Sequence, residues 1–216
     1  MTTIELKNVY KTIHKKPVIQ DISVLMQSGK VYGFQGINGS GKTMLMRLIS
    51  GLIRTTQGQI IINGKTLGKD ITFPESIGLF LENPTFLDEY SGFRNLKMLA
   101  SIQNKISDDK IHETIKLVGL DPTEKKKYRK YSLGMKQRLG IAAAIMEDPD
   151  IVIMDEPTNS IDVNGIELIK TIITAQKERG ALVIVSCHDL PLLQAMSDEI
   201  LLLESGRVIN HLVTKE

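Results

Sequence analysis

Residues 36–43 read Gly36-Ile37-Asn38-Gly39-Ser40-Gly41-Lys42-Thr43 and follow directly on the apolar segment Val31–Gln35. They fit the pattern G-x-x-x-x-G-K-[ST], with a predicted strand before them and a predicted helix after them. Glycines let the backbone turn its N–H groups toward phosphate oxygens, and a helix N-terminus adds its dipole. Lys42 would place a full charge at the β and γ phosphates, and Thr43 would place a hydroxyl on Mg²⁺. The segment predicts a nucleoside triphosphate site formed by Gly36, Asn38, Gly39, Ser40, Gly41, Lys42 and Thr43.

A second motif, which ends in two acidic residues, limits the reactions that the nucleotide site can support. Residues 151–156 read Ile151-Val152-Ile153-Met154-Asp155-Glu156, four apolar residues and then two carboxylates. Four consecutive apolar residues are typical of a buried parallel strand. At its carboxyl end, Asp155 can hold Mg²⁺ directly or through water, and Glu156 can orient an attacking water or accept its proton. The pair favours hydrolysis over phosphoryl transfer by a kinase.

The remaining pattern predicts an α/β fold with a mainly parallel core sheet. Alternation at Ile4, Leu6 and Val9 predicts an antiparallel N-terminal portion, and Asn63-Gly64 predicts a hairpin. From about residue 83 to about residue 148 the pattern is helical, with predicted N-caps at Ser91, Ser107 and Ser132. Strands and helices then alternate to the end. The sequence predicts one domain over residues 1–216 that contains a helical insert.

Composition excludes several classes of protein. The chain has 216 residues, of which 42% are apolar, which is typical of a globular domain. No apolar run reaches the roughly 18 residues that span a bilayer, and the N-terminus does not resemble a signal peptide. The net charge of +2 does not favour a nucleic-acid partner. The single cysteine, Cys187, lies in an apolar run and is predicted to be a small core residue in a reducing compartment.

Three further motifs complete a recognisable order. Tyr131-Ser132-Leu133-Gly134-Met135-Lys136-Gln137-Arg138 lies between the two elements above, Pro157-Thr158-Asn159-Ser160-Ile161-Asp162 follows the second, and His188 follows a later apolar strand. Over essentially the whole chain this order resembles the nucleotide-binding subunit of ATP-binding cassette (ABC) transporters. The resemblance implies an ABC-type P-loop NTPase fold with ATP and Mg²⁺ bound.

The resemblance also implies a role for each matching residue. Ser132 and Gly134 match the signature that contacts the γ-phosphate of ATP held by a second, identical or similar ATPase subunit. Asp162 matches the aspartate of a loop that crosses the dimer interface. Glu156 matches the catalytic glutamate, and His188 matches the switch histidine that contacts the γ-phosphate.

Some positions depart from the common family pattern. Glu82 stands where a glutamine is usual, and its carboxylate could approach Mg²⁺ or the attacking water. Leu133 and Met135 replace the commoner glycine and glutamine of the signature. These departures resemble the exporters of peptide antibiotics, namely the bacitracin-resistance and lantibiotic-immunity subunits. The residue that stacks on adenine stays open among Tyr10, Ile13 and His14.

The expected protein is an ATP-hydrolysing subunit on the cytoplasmic, inner face of the cell membrane. It would form a homodimer and power transmembrane permease subunits, without a nucleic-acid partner. Phe86, Leu87, Tyr90 and Phe93 would either line the permease-docking groove or pack into the core. Two alternatives stay open: an ATPase in a peptide-sensing complex, and a soluble ATPase of DNA repair or translation. The single cassette without heptads disfavours the second.

Overall fold

The computed structural model describes residues 1–82, 85–159 and 161–214. The predicted start of the helical insert at Asn83, and Ser160 of the third motif, lie outside the described residues. The strands are β1 (Thr3–Ile13), β2 (Lys16–Gln27), β3 (Val31–Gln35), β4 (Gln57–Ile62), β5 (Lys65–Thr66), β6 (Ile77–Phe80), β7 (Ile151–Met154), β8 (Leu182–Ser186), β9 (Glu199–Glu204) and β10 (Arg207–Val213). The helices are α1 (Lys42–Ile49), α2 (Gly92–Gln103), α3 (Asp108–Leu117), α4 (Leu133–Ile145), α5 (Val163–Glu178) and α6 (Leu190–Met196), with a 3-10 turn at Tyr128–Lys130.

The strands form two sheets. The first has the order β2-β1-β4-β5 and is antiparallel. The second has the order β10-β9-β3-β8-β7-β6, and its strands from β9 to β6 are parallel. Only the edge strand β10 runs antiparallel to its neighbour in that sheet. The prediction of a mainly parallel core sheet beside an antiparallel N-terminal portion is confirmed.

Both faces of the parallel sheet are covered, and so its central strands are apolar throughout. Ile151 and Ile153 of β7 face a cluster that contains α1 and the antiparallel sheet. Val152 and Met154 face the other cluster, to which α4, α5 and α6 contribute. All four side chains are at most 2% exposed. Burial on both faces explains why β7 shows no alternation of polar and apolar residues.

Helix α4 lies unusually close to the edge strand β6. A Cβ atom built on Gly78 of β6 would lie 1.7 Å from the carbonyl oxygen of Ala144 in α4. Only glycine can occupy this position without displacing the helix, because a methyl group needs about 3 Å or more from an oxygen. The contact fixes the C-terminal half of α4 against the sheet.

The helix starts follow the predicted caps. Ser91, Ser107 and Ser132 each cap a helix by accepting a hydrogen bond from the backbone N–H three residues later. Of the described helices, none combines the length and the apolar character that a membrane span requires. Cys187 is 1% exposed, which confirms its prediction as a core residue.

The four apolar residues predicted either to dock or to pack divide between the two possibilities. Phe86 contacts the ring of Tyr128 edge to face, with centroids 5.3 Å apart, and Phe93 stacks on His112 at 4.3 Å. Leu87 and Tyr90, in contrast, are 50% and 37% exposed. Phe86 and Phe93 are therefore partly buried and pack against the core, whereas Leu87 and Tyr90 belong to the surface.

Candidate nucleotide site

The loop between β3 and α1 has the conformation that its glycines require. Gly39 and Gly41 have φ angles of 82° and 111°, in the region that favours glycine. A Cβ atom on Gly36 would lie 2.4 Å from both the Leu203 carbonyl oxygen and the Ser40 hydroxyl oxygen. Ser40 Oγ is buried and has no hydrogen-bond partner among the described residues. An unpaired buried hydroxyl in a glycine-lined loop fits a site for phosphate oxygens.

The Lys42 side chain lies within this loop. It is 6% exposed, and its ammonium donates to the carbonyl oxygens of Gly36 at 2.6 Å and Ile37 at 3.3 Å. The Glu156 carboxylate lies 3.8 Å from the same nitrogen. The carbonyls satisfy N–H donors without neutralising the charge, and among the described residues the only ion pair is the long contact with Glu156, so the buried ammonium can also bind an anionic ligand.

Asp155 is held at the carboxyl end of β7 by two hydroxyl groups. The Thr43 hydroxyl donates to Asp155 Oδ2, and the Ser186 hydroxyl donates to Asp155 Oδ1. The Asp155 side chain is largely buried, and its backbone N–H donates to the Phe80 carbonyl at 2.7 Å across the sheet. A carboxylate beside a hydroxyl is a set of hard oxygen donors, and therefore Thr43 and Asp155 fit Mg²⁺.

Glu156 adopts a backbone conformation that is uncommon for a residue with a side chain. Its φ is 50°, and its N–H donates to Ser186 Oγ at 2.8 Å. The Gln137 amide donates to the Glu156 carbonyl at 3.3 Å. Two groups from β8 and α4 thus maintain the left-handed conformation, as is common at functional sites.

His188 lies beside the Glu156 carboxylate. The His188 Nδ1 atom is 3.0 Å from Glu156 Oε2, and Lys42 approaches the other carboxylate oxygen. The imidazole itself is 65% exposed. The structure therefore brings Lys42, Glu156 and His188 together, as their predicted shared role requires.

Lys42 and Glu156 border a pocket of about 820 Å³, whereas His188 and Gly36 are not among its described lining residues. Glu82 also borders this pocket. Its carboxylate forms an ion pair with Arg47 of α1 and makes no described bond to Thr43, the neighbour of Asp155. Pro17 and Val18 of β2 supply an apolar part of the wall. Of the three residues considered for adenine stacking, Tyr10, Ile13 and His14, none lines the described pocket.

The signature residues border a different pocket, of about 520 Å³. Ser132 Oγ caps α4 by accepting from the Met135 N–H at 3.3 Å, and Gly134 lies in the first turn of that helix. Asp162 Oδ1 caps α5 by accepting from the Gly165 N–H at 3.2 Å. The two pockets share no described lining residue. Ser132, Gly134 and Asp162 are brought together with one another but not with the phosphate loop of their own chain.

Sequence reasoning missed three contributors to the first pocket. Ser186 connects Asp155 to Glu156, Gln137 holds the Glu156 backbone, and Arg47 pairs with Glu82. Two of these residues could have been found from their positions in the sequence. Ser186 ends an apolar strand, and Gln137 lies in the helix that begins within the signature. Arg47 lies one turn after Thr43, but no pattern in the sequence indicates its partner.

Comparison with known proteins decides the family. The sequence matches the family model described as ABC transporter over residues 19–159, which is more than half of the chain. The chain belongs to the ABC transporter family. ABC ATPase cassettes hydrolyse ATP, and this cassette is accordingly an ATP-binding subunit and an ATPase. The predicted family, fold class and enzymatic activity are confirmed.

Three curated relatives of this ABC cassette carry related names. It is 46% identical to the uncharacterized ABC transporter ATP-binding protein YybJ of Bacillus subtilis (strain 168), over 95% of this chain and 94% of that protein. It is 34% identical to the bacitracin transport ATP-binding protein BcrA of Enterococcus faecalis, over 99% of this chain and 70% of that protein. It is 32% identical to the lantibiotic transport ATP-binding protein SrtF of Streptococcus pyogenes, over 95% of this chain and 89% of that protein.

A solved cassette has the same fold. The structure titled as a dimeric, post-hydrolysis state of the ATP-binding cassette MJ0796 bound to ADP and Pi superposes with a TM-score of 0.88. It is 20% identical in sequence and covers 99% of each chain. At this identity the likeness establishes the fold.

Proposed function

We propose that this ABC cassette powers the export of a peptide antibiotic or another amphipathic molecule. The observation that carries the proposal is the position of Glu156 between Lys42 and His188 at the edge of the 820 Å³ pocket. This arrangement supports ATP turnover rather than binding alone. The names of the relatives BcrA and SrtF support a peptide antibiotic as the cargo.

The first pocket would bind one ATP with its phosphates in the loop. Backbone N–H groups of the loop and the Lys42 ammonium would contact the phosphates, as predicted for Gly36, Asn38, Gly39, Ser40, Gly41, Lys42 and Thr43. Thr43 and Asp155 would hold Mg²⁺, and the third predicted candidate, Glu82, borders the same pocket in an ion pair with Arg47. When bound, Mg²⁺ supplies positive charge at the β and γ phosphates.

Hydrolysis would then depend mainly on position and charge. Glu156 would orient a water toward the γ-phosphorus and accept its proton as the oxygen–phosphorus bond forms. The bond to the β-phosphate oxygen breaks, which leaves ADP and inorganic phosphate. His188 would hold the Glu156 carboxylate in place, and Lys42 would stabilise the charge that develops on the phosphates.

A second copy of the chain would complete each site. The hydroxyl of Ser132 can donate to a phosphate oxygen while it accepts from its own helix, and Gly134 exposes the backbone at the start of α4. Since this pocket lies apart from the chain's own phosphate loop, the ligand would be the ATP of a partner subunit. Asp162 would contribute to the same interface. We propose a homodimer that closes on ATP and opens after hydrolysis.

The membrane partner would be a pair of permease subunits, and the cassette would lie on the cytoplasmic face of the cell membrane. Residues 1–216 would form one ABC ATPase domain, with the helical part at about residues 83–148 facing the permease. Exposed Leu87 and Tyr90 near its start are candidates for that contact. The balanced charge of the chain gives no support for a nucleic-acid partner.

The test is affinity capture of the tagged chain from gently solubilised membranes of its native cells, combined with exposure of those cells to bacitracin or a lantibiotic. We expect a polytopic membrane protein to be recovered, and cells that carry Glu156→Gln to be more sensitive than the wild type. Recovery of soluble proteins or nucleic acid alone would refute the transport role. Unchanged sensitivity with the membrane protein present would exclude the tested peptides as the cargo and leave another amphipathic molecule.

A further inference from the structure

Helix α1 touches the ends of two neighbouring strands through two residues one helical turn apart. Thr43 bonds Asp155, which directly follows β7, and Arg47 pairs with Glu82, which lies just beyond β6. Residues at this spacing project from the same face of a helix. Because β6 and β7 are parallel and paired, their carboxyl ends meet at one edge of the sheet. One helix face therefore contacts both acidic groups.

The ion pair between Arg47 and Glu82 changes the net charge of the pocket wall. The described lining residues include three carboxylates, Glu82, Asp155 and Glu156, but two cations, Lys42 and Arg47. One formal negative charge therefore faces a ligand that is itself strongly negative. Without Arg47 the net charge of these side chains would be two negative charges. The unpaired carboxylate of Glu82 would then repel phosphate and attract a divalent cation.

Carboxylate oxygens are the ligands that Mg²⁺ and Mn²⁺ prefer. A carboxylate freed from its ion pair could therefore compete for the cation beside Thr43 and Asp155. The Glu82 side chain is 62% exposed, and the Glu82 backbone has a φ of 56°. With its partner removed, the carboxylate would be free to turn to the metal.

We infer that Arg47 is a positioning residue that neutralises Glu82 and keeps its carboxylate from acting as an additional metal ligand beside Asp155. The inference rests on the proposed function, because it takes the pocket to hold a metal–ATP complex. In this arrangement Thr43 and Asp155 would hold the cation, and Glu82 would border the pocket with its charge balanced by Arg47.

The experiment compares purified wild type with Arg47→Met, Arg47→Lys, Glu82→Gln and the double variant Arg47→Met/Glu82→Gln. Binding of Mn²⁺ in the presence of ADP is measured by electron paramagnetic resonance, and ATP hydrolysis is measured against Mg²⁺ concentration. Lys65→Met is the matched control, because Lys65 forms an exposed ion pair with Glu75 away from the pocket. Thermal unfolding checks that every variant folds.

We expect Arg47→Met to bind Mn²⁺ about fivefold more tightly and to hydrolyse ATP about tenfold more slowly, because a charged oxygen ligand has been added. Arg47→Lys and the double variant should return both values to within about twofold of the wild type, since the free carboxylate is again paired or absent. Lys65→Met should change neither.

Two results would overturn the inference. One is an unchanged Mn²⁺ affinity in Arg47→Met, and the other is a double variant as slow as Arg47→Met. Either would mean that Arg47 does not act through Glu82. An absence of Mg²⁺-dependent hydrolysis in the wild type would instead refute the proposed function of the pocket, and the two failures are therefore distinguishable.

Discussion

Nδ1 of His188 and Oε2 of Glu156 lie 3.0 Å apart, although the two residues are 32 positions apart in the chain. Each follows one of two adjacent parallel strands, β7 and β8, whose register places their carboxyl ends side by side. Ser186 strengthens this junction, because its hydroxyl accepts from the Glu156 N–H and donates to Asp155. The pairing of two strands thus brings Asp155, Glu156 and His188 together at one edge of the sheet.

Replacement of the loop lysine should abolish function. Lys42→Ala removes the buried cation that the loop carbonyls hold, and we expect ATP turnover to fall by about 100-fold or more. Hydrolysis by the purified variant, with Lys65→Ala as the control at an exposed site, measures the effect. Turnover at the wild-type rate would contradict the assignment of the phosphate loop.

Removal of the candidate general base should separate binding from chemistry. Glu156→Gln keeps the size of the side chain and one acceptor oxygen, but it cannot accept the proton of water. We expect ATP affinity to persist, hydrolysis to slow by about 100-fold or more, and an ATP-bound dimer to accumulate. Nucleotide binding, turnover and light scattering on one preparation test all three. A variant that stays monomeric with ATP would argue against the two-site arrangement.

The separation of the two pockets predicts complementation between inactive chains. Lys42→Ala disables the phosphate loop, and Ser132→Arg disables the signature pocket. A mixed dimer would contain one intact site, formed by the loop of one chain and the signature of the other. We expect the mixture to hydrolyse ATP well above the sum of the two separate samples. Activity no greater than that sum would place the whole site within one chain.

The contact between β6 and α4 predicts a sensitive position for stability. Gly78→Ala would force a methyl group to within 1.7 Å of the Ala144 carbonyl oxygen unless the helix moves. We expect the free energy of unfolding to fall by about 1–3 kcal/mol. Urea unfolding measures it, and an unchanged free energy of unfolding would show that the helix yields to the methyl group without cost.

The buried thiol predicts a dependence of stability on alkaline pH. Burial raises the pKa of Cys187 above its ordinary value of 9.0. Above that value the unfolded chain loses the thiol proton while the folded chain keeps it, and so stability falls as pH rises from about 9 toward the folded pKa. We expect the loss between pH 8 and pH 10 to be smaller in Cys187→Ala than in the wild type, as measured by urea unfolding. An equal loss in the two proteins would show that the thiol does not contribute.

Local signals predicted much of the fold. The strand over Val31–Gln35 has the predicted bounds, because an apolar run that ends at a glycine-rich loop determines it. Ser132 caps its helix as predicted. Strand ends were less predictable: the alternation at Ile4, Leu6 and Val9 belongs to a strand over Thr3–Ile13, since pairing with β2 continues beyond the alternating residues.

Contacts between distant segments were not predictable. The bonds from Ser186 to Asp155 and from Arg47 to Glu82 depend on the order and register of strands, which one sequence does not encode in any short pattern. The pocket wall at Pro17 and Val18 depends on how the antiparallel sheet lies against the phosphate loop. The motifs identified the chemistry, and the tertiary structure determines which neighbours support it.

The absence of a side chain at Gly78 has a mechanical consequence. The C-terminal end of α4 is anchored on the sheet at Ala144, while Ser132 lies at the opposite end of the same helix. At 1.5 Å per residue the helix is an arm of about 18 Å, and a tilt of about 5° at its anchored end displaces the signature by about 1.5 Å. A displacement of this size, about half the length of a hydrogen bond, is enough for Ser132 to engage or release a phosphate oxygen. The close contact that Gly78 permits is therefore the point about which a small rotation of α4 would be amplified at Ser132.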